Sequence, residues 1–141
     1  MKRLDTETNK YLLEEILSRI AEQQNIQECS SIIKFINDER ASVRHSAIHA
    51  LQACEKSIAE EALIRILTES SDEFDLTNAN SVLSKIGSNK AIPHLINLLG
   101  HPKVDVKCSA LWALNKLGNS SILTIFLEAL QERSSAVKGL D

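Results

Sequence analysis

An internal repeat constrains this chain more than any other feature of its sequence. The stretch Ser30–Cys54 aligns without a gap on Pro93–Leu117, 63 positions further along. Halving that separation places Leu63–Leu67 on Leu95–Leu99, so the repeating unit is 31 or 32 residues long. A unit of this length cannot bury its apolar face alone, because it is a single supersecondary structure. Several units must therefore stack against one another.

Within each unit the apolar residues are spaced as they are on a helix. Val43, Ala47 and Ala50 share one face at separations of three and four, and the segment Val106–Leu117 repeats that pattern. Gly87 stands where one of these helices is expected to end. No segment alternates apolar and polar residues for long enough to predict a strand. The repeat therefore predicts stacked pairs of antiparallel helices.

The 141 residues are enough for one domain of ordinary size. An apolar stripe of Leu13, Ile16, Leu17 and Ile20 predicts an N-terminal helix that caps the stack, because the end of a solenoid otherwise exposes its core. The predicted fold is an all-α, right-handed α-solenoid (α-α superhelix) of about three helix pairs in a single domain, 1–141. Its predicted segments are the cap at 6–23, repeats at 26–55, 57–87 and 88–118, and a partial C-terminal repeat at 119–141.

The residues of two units carry a family resemblance. Ala91–Gly118 reads AIPHLINLLGHPKVDVKCSALWALNKLG, and Phe35–Leu51 reads FINDERASVRHSAIHAL. Both segments resemble the short HEAT repeats known as the phycobilisome-lyase-like class, whose pattern runs A-I-P-x-L-I-x-x-L, a short turn, then V-R-x-x-A-x-x-A-L. The resemblance covers residues 27–138. It implies a helical scaffold or adaptor, and bacterial proteins of this type serve as immunity or regulatory proteins.

The middle unit departs from the pattern of this family. Asp75-Leu76 stands where Val-Arg is expected, which predicts a looser or locally bent junction. Arg44 and Lys107 occupy the Arg position of the first and third units. Since buried charges in proteins are paired, we expect these two side chains to form a structural ladder between units, with Asp75 among its partners.

Residue types that carry catalysis or bind metals form no motif in this sequence. His45 and His49 lie four apart on one helical face, but no carboxylate within that helix completes a metal site, and H-E-x-x-H is missing. The His-Glu dipeptides that supply iron ligands in the HEAT-like deoxyhypusine hydroxylases do not occur. A phosphate-binding glycine loop and a G-x-S-x-G nucleophile motif are missing too. The sequence therefore predicts a protein that is not an enzyme, with no catalytic residue, no metal and no cofactor.

Composition narrows the expected partners and location. Lys and Arg total 16 against 19 Asp and Glu, and neither half of the chain is basic, so nucleic acid is not an expected partner. The longest apolar run, Ala110–Leu114, is too short to cross a membrane. Cys29, Cys54 and Cys108 are odd in number and lack a C-x-x-C. We therefore expect no disulfide framework, buried packing roles for Cys29 and Cys54, and a cytoplasmic protein.

The predicted binding surface is the face of each unit's second helix that lies opposite the core stripe. A solvated face normally carries Lys and Glu, whereas this one lacks both and includes a Trp, a residue type that often dominates binding energy. We therefore expect a preformed strip that binds another protein, with Cys108 on the same face. The strip residues are His45, Ile48, His49, Gln52, Thr77, Asn80, Ser81, Ser84, Leu111, Trp112 and Asn115.

Three alternatives stay open from the sequence. The name of the repeat class suggests a lyase or chaperone for the attachment of bilin chromophores. HEAT-like alkylpurine DNA glycosylases bind nucleic acid in a basic concave channel, and here that channel lacks Lys and Arg beyond the ladder positions. Formation of a homodimer through the C-terminal end, around Phe126 and Leu130, is compatible with each of these functions.

Overall fold

The computed structural model describes residues 9–22 and 29–118, together with the single helical positions Thr124, Glu128 and Gln131. Within residues 9–22 and 29–118, all regular structure is helical, and no helix is both long and apolar enough to cross a membrane. The predicted C-terminal helix around Phe126 and Leu130 lies outside the described residues. The helices are α1 (Lys10–Ala21), α2 (Cys29–Phe35), α3 (Ala41–Ala50), α4 (Lys56–Glu69), α5 (Glu73–Ile86), α6 (Ile92–Leu98) and α7 (Val104–Leu117).

These helices form two layers. The first layer consists of α1, α3, α5 and α7, each of which packs against the next. The second layer consists of α2, α4 and α6, which pack on α3, α5 and α7 respectively. Each unit thus contributes one helix to each layer, and equivalent helices lie side by side. The prediction of an all-α solenoid is confirmed.

The apolar core runs between the two layers. Val43 and Ala47 of α3 are fully buried, and so are the equivalent Val106 and Ala110 of α7. Burying a Val or Leu side chain contributes about 1.5–3 kcal/mol to the free energy of unfolding. The helical spacing of these residues therefore places their apolar side chains in the core, where their burial stabilises the fold.

Helix α1 stands at the N-terminal end of the first layer and packs on α3. Its Leu13 and Leu17 are fully buried, and Ile16 is half-buried against the core. The side chain of Asn9 caps this helix, because its Oδ1 accepts a hydrogen bond from the backbone N–H of Leu12 at 3.1 Å. The outer residues of the predicted 6–23 cap lie outside the described part of the chain.

The cysteines correct one expectation from the sequence. Cys29 and Cys54 form a disulfide, with Cα atoms 5.9 Å apart. Cys29 begins α2 and Cys54 follows the short 3-10 turn Leu51–Ala53 after α3, so the packing of α2 on α3 brings the two residues within disulfide range. The expectation of unpaired cysteines is therefore wrong for this pair, although both side chains are buried as predicted. The cysteines therefore no longer support the expectation of a reducing compartment.

Gly87 ends α5 in a conformation that favours glycine. Its φ of 71° and ψ of 43° are left-handed, and its N–H donates to the carbonyl of Leu83. A Cβ atom at this position would meet no neighbour, so a substitution would be strained by the backbone alone.

We expect Gly87→Ala to lower the free energy of unfolding by about 1 kcal/mol, because an L-residue pays that cost in the left-handed region. Gly100→Ala is the matched control, since Gly100 lacks a positive φ and its Cβ would make only an ordinary contact of 3.5 Å with the Asn97 carbonyl. Chemical denaturation of both variants measures the difference. Equal losses in the two variants would contradict this account of the α5 end.

Candidate interaction surface

Stacking of the first-layer helices buries some residues of the strip predicted from the sequence and leaves others exposed. Ile48 of α3, Asn80 of α5 and Leu111 of α7 are equivalent residues, at separations of 32 and 31. Ile48 and Asn80 are fully buried, whereas Leu111 is 48% exposed. The Asn80 Nδ2 donates to the Ser109 Oγ of α7 at 2.9 Å, which shows that the next helix covers this position. The prediction that Ile48 and Asn80 line an exposed strip is therefore wrong, because these residues lie in the contact between units.

The remaining strip residues of the first two units are half-buried, and several bridge neighbouring helices. The His49 Nε2 lies 2.7 Å from the Asn78 Oδ1 of α5. The Gln52 Nε2 donates to the backbone carbonyl of Ala21, at the end of α1, at 2.9 Å. Much of the polar capacity on this part of the strip is thus used inside the molecule. The half-buried residues are His45, His49, Gln52, Thr77, Ser81 and Ser84.

A buried carboxylate joins α3 to α5. Asp75 is 7% exposed and occupies the position that Val43 and Val106 fill in the other units. Its Oδ2 lies 3.1 Å from the Arg44 Nε, and its Oδ1 lies 3.1 Å from the His45 Nε2. The predicted pairing of Arg44 with Asp75 is confirmed. The departure from the family pattern thus supplies an ion pair at the junction where a looser contact was expected.

The structure shows the predicted ladder role for Arg44 but not for Lys107. The Arg44 Nη1 also donates to the backbone carbonyls of Asp38 and Glu39, at 2.9 and 3.2 Å, so one guanidinium ties the turn before α3 to α5. Within residues 9–22 and 29–118, the equivalent Lys107 forms no ion pair. Its ladder role stays a prediction.

The same junction contains a set of groups of the types that bind metals. His45, Asp72 and Asp75 offer ligand atoms that lie within 4.8 Å of one another. The search for a metal motif missed this set because both carboxylates come from the next unit rather than from the helix of His45. The Arg44 guanidinium lies 3.6 Å from the Asp72 Oδ2 as well as pairing with Asp75. Because this fixed cation lies beside both carboxylates and would repel a metal cation, we interpret the set as an ion-pair network.

Three of the six exposed large apolar residues in the described part of the chain lie on α7. Val104, Leu111 and Trp112 are 66%, 48% and 48% exposed, and Cys108 is an exposed thiol. Positions 104, 108 and 111 follow helical spacing and therefore lie on one face, and Trp112 extends that face around the helix. We call these four residues the α7 surface. The Lys116 ammonium lies over the Trp112 ring, 5.2 Å from its centroid.

The α7 surface agrees with the predicted strip in part. Leu111, Trp112 and Asn115 were predicted to be exposed, and they are. Val104 was not predicted, although it stands four residues before Cys108 and so shares its helical face. Whether any of these residues binds a partner stays a prediction.

A groove of about 550 Å³ opens where the turns of two successive units meet. The turn after α2 lies on one side of it, and the end of α4 with the turn before α5 lies on the other. On the first side, the Asp38 carboxylate accepts hydrogen bonds from the Arg40 Nε and Nη2 at 2.9 and 3.0 Å. These hydrogen bonds hold the pKa of the Asp38 carboxyl below its usual value. The groove was not predicted, because it combines residues more than 30 positions apart.

Comparison with known proteins identifies a family and two relatives. A family model described as HEAT repeats matches residues 29–105 and 60–139. Protein YibA of Escherichia coli strain K12 and Protein YibA of Escherichia coli O157:H7 are each 35% identical to this chain over 112 residues. That alignment covers 73% of this chain and 39% of each relative. The chain thus spans less than half the length of the curated relatives that it matches.

We expect Arg44→Leu alone to lower the free energy of unfolding by about 2 kcal/mol, because it leaves the buried Asp75 carboxylate without its guanidinium. The double variant Arg44→Leu with Asp75→Val places in α5 the residue that Val43 and Val106 provide elsewhere. We expect it to regain most of the loss, since a buried ion pair can be replaced by packed apolar groups at little cost. Urea denaturation measures both variants, and a double variant no more stable than Arg44→Leu alone would contradict an ion pair at this junction.

Proposed function

Because the chain belongs to the HEAT-repeat family, we propose that it is a non-enzymatic scaffold or adaptor that binds another protein through the α7 surface. The observation that supports the proposal is the exposure of Leu111. The equivalent Ile48 and Asn80 are fully buried between helices of the first layer, whereas Leu111 is about half exposed. An exposed apolar cluster of this kind is a feature of protein interaction sites.

We infer that the group bound there is an amphipathic helix. In the preceding units, the flank equivalent to the α7 surface is covered by a helix of the first layer. A helix that approaches α7 in the same way places its apolar side chains against Val104 and Leu111 and packs its edge on Trp112. Helix-in-groove recognition of this kind reads apolar residues at helical spacing.

The two-layer packing holds the α7 surface in place before a partner arrives. On the opposite face of α7, Val106, Ala110 and Leu114 are fully buried in the core. The backbone that carries Leu111 and Trp112 is therefore fixed, and binding costs little ordering of the chain. A rigid surface with one large aromatic residue is suited to recognition rather than to catalysis.

The finer assignments rest on the sequence. Membership of the short, phycobilisome-lyase-like class is supported by separations of 31 and 32 residues between equivalent positions. We propose on the same basis that the protein has an immunity or regulatory role and a cytoplasmic location, and that His45, His49 and Gln52 contribute to binding. No specific observation in the described part of the chain favours the bilin alternative or the nucleic-acid alternative.

We expect Trp112→Ala to weaken binding of the partner at least tenfold, about 1.4 kcal/mol, while the thermal midpoint of unfolding stays unchanged. The reason is that the Trp112 side chain is half exposed and contributes little to the core. The partner is first isolated by affinity capture with the wild-type chain, and its Kd is then measured by calorimetry for each variant.

Tyr11→Ala is the matched control, because Tyr11 is an aromatic residue on α1 that is 75% exposed. Its variant should bind the partner with the wild-type Kd. Equal effects of the two substitutions, or no effect of Trp112→Ala, would remove the α7 surface from the binding site. A saturable shift in the absorbance of an added linear tetrapyrrole would favour the chromophore-attachment alternative instead.

A further inference from the structure

The contacts between helices of the first layer specify the chemistry of a helix that binds to α7. Within that layer α5 packs on α3, and α7 packs on α5. We propose that the partner helix takes the equivalent place on α7 and runs parallel to it. It carries a carboxylate that pairs with Lys107 and, three residues later, an apolar residue that packs on Trp112. This inference rests on the proposed function and adds the direction and the charge of the bound helix.

Lys107 and Leu111 lie on the side of α7 that faces away from α5. Ser109 marks the side that faces α5, because its Oγ accepts a hydrogen bond from the Asn80 Nδ2 at 2.9 Å. Lys107 and Leu111 each stand two residues from Ser109, which is about 200° around a helix. We call Lys107 and Leu111 the open flank of α7. The bound helix therefore does not compete with α5.

The contact between α3 and α5 shows which residues approach this flank when a helix covers it. The Arg44 Nε lies 3.1 Å from the Asp75 Oδ2, and the Arg44 Nη2 lies 3.6 Å from the Asp72 Oδ2. Further along α3, the His49 Nε2 lies 2.7 Å from the Asn78 Oδ1. Later residues of α3 thus contact later residues of α5, so the two helices run parallel. The residue beside His49 stands three positions after the carboxylate beside Arg44.

The same pair of contacts on α7 involves one conserved charge and one change of chemistry. Lys107 stands 63 positions after Arg44, and Trp112 stands 63 positions after His49. Lysine keeps the positive charge of arginine, so the first contact again favours a carboxylate. At the second contact an indole replaces the imidazole. Because the indole offers a large apolar ring, this contact favours an apolar residue where α5 has Asn78.

Lys107 has the position of Arg44 without its ion pair. Its side chain is half-buried, and within residues 9–22 and 29–118 it forms no ion pair. A carboxylate on an incoming helix meets this ammonium group where the apolar residues of the α7 surface exclude part of the water, and lower water content strengthens an ion pair. The same approach covers Leu111, one turn after Lys107 and half exposed. The partner helix thus completes the ladder that Arg44 begins.

Binding of a synthetic helix to the full chain tests the proposal. The probe is a hydrocarbon-stapled peptide of about four turns, with aspartate at one position, leucine three residues later, and alanine, glutamine and lysine elsewhere. The control peptide has the same composition, but its leucine stands three residues before the aspartate. That order suits an antiparallel helix and not a parallel one.

Trp112 reports the binding directly, because it is the single tryptophan of the chain. We expect the probe to change the Trp112 fluorescence saturably, at a Kd on the order of 100 μM. The control peptide should bind at least about fivefold more weakly, since it cannot make the ion pair and the apolar contact together.

Variants test the ion pair. Lys107→Met should weaken binding of the probe about two- to fivefold, and Lys107→Arg should retain it. Neither variant should change binding of a probe in which asparagine replaces the aspartate, because the effect requires both charges. Lys85→Met is the matched control, since it removes an exposed lysine from α5 and leaves the open flank intact. It should bind the probe with the wild-type Kd.

Three results would overturn the proposal. Equal binding of the probe and the control peptide would show that direction is not recognised. An equal loss in Lys107→Met and Lys85→Met would show that net charge alone attracts the peptide. Dimerisation of the peptide-free chain that Trp112→Ala abolishes, measured by sedimentation, would assign the open flank to a second copy of this chain. The proposed function fails instead if Trp112→Ala leaves the Kd of the captured partner unchanged, so the two failures are distinguishable.

Discussion

Side-by-side contact between the helices of the first layer is the interaction on which the rest of this structure depends. Each of α3 and α5 buries a core face against the second layer and also has a neighbour on both flanks within its own layer. The stability of such a stack is close to a sum over neighbouring units. A position on the flank of one helix is therefore buried or exposed according to whether another helix lies beside it.

The type of side chain at the contact between successive first-layer helices differs from one unit to the next. Ile48 is an aliphatic residue at this position, and Asn80 is an amide whose Nδ2 donates to Ser109. Burying an amide without a hydrogen bond costs about 1–3 kcal/mol, so the hydroxyl of Ser109 offsets part of that cost. The third equivalent, Leu111, retains an apolar side chain at a site that is half exposed. A half-exposed apolar residue at this position distinguishes α7 from α3 and α5.

Charge also sets the register between the first two units. Asp75 takes a core position that is valine in the other units, and Arg44 and His45 approach it from α3. A buried carboxylate paired in this way disfavours other alignments of the two helices, because a shifted register leaves it unpaired. The junction that departs from the family pattern is thus the one with the most specific contact.

The sequence predicts the helices of this fold well and the contacts between units less well. The spacing of Val43, Ala47 and Ala50 identifies the core face, because helical periodicity is a local property. Periodicity does not tell which flank the next unit covers, so Ile48 was assigned to an exposed strip. The approach of Cys29 to Cys54 likewise depends on how α2 packs on α3, and separation along the chain carries no signal for it.

The candidate sites also include features that the sequence predicts and features that it does not. The exposure of Trp112 could be predicted, because its helix and its position opposite the core both follow from the repeat. The groove between the first two units and the grouping of His45 with Asp72 could not be predicted, since each combines residues of two units whose relative placement is a tertiary property.

Ile48 and Leu111 are equivalent positions on the flank of the first layer, one buried and one half exposed. Thermal and chemical unfolding of Ile48→Asp and Leu111→Asp, measured side by side, tests this difference. We expect a loss of at least about 3 kcal/mol for Ile48→Asp, because an unpaired carboxylate enters the core. For Leu111→Asp, whose side chain is 48% exposed on a helix, we expect a loss of at most about 1.5 kcal/mol. A loss for Leu111→Asp as large as that for Ile48→Asp would show that the α7 surface is internal.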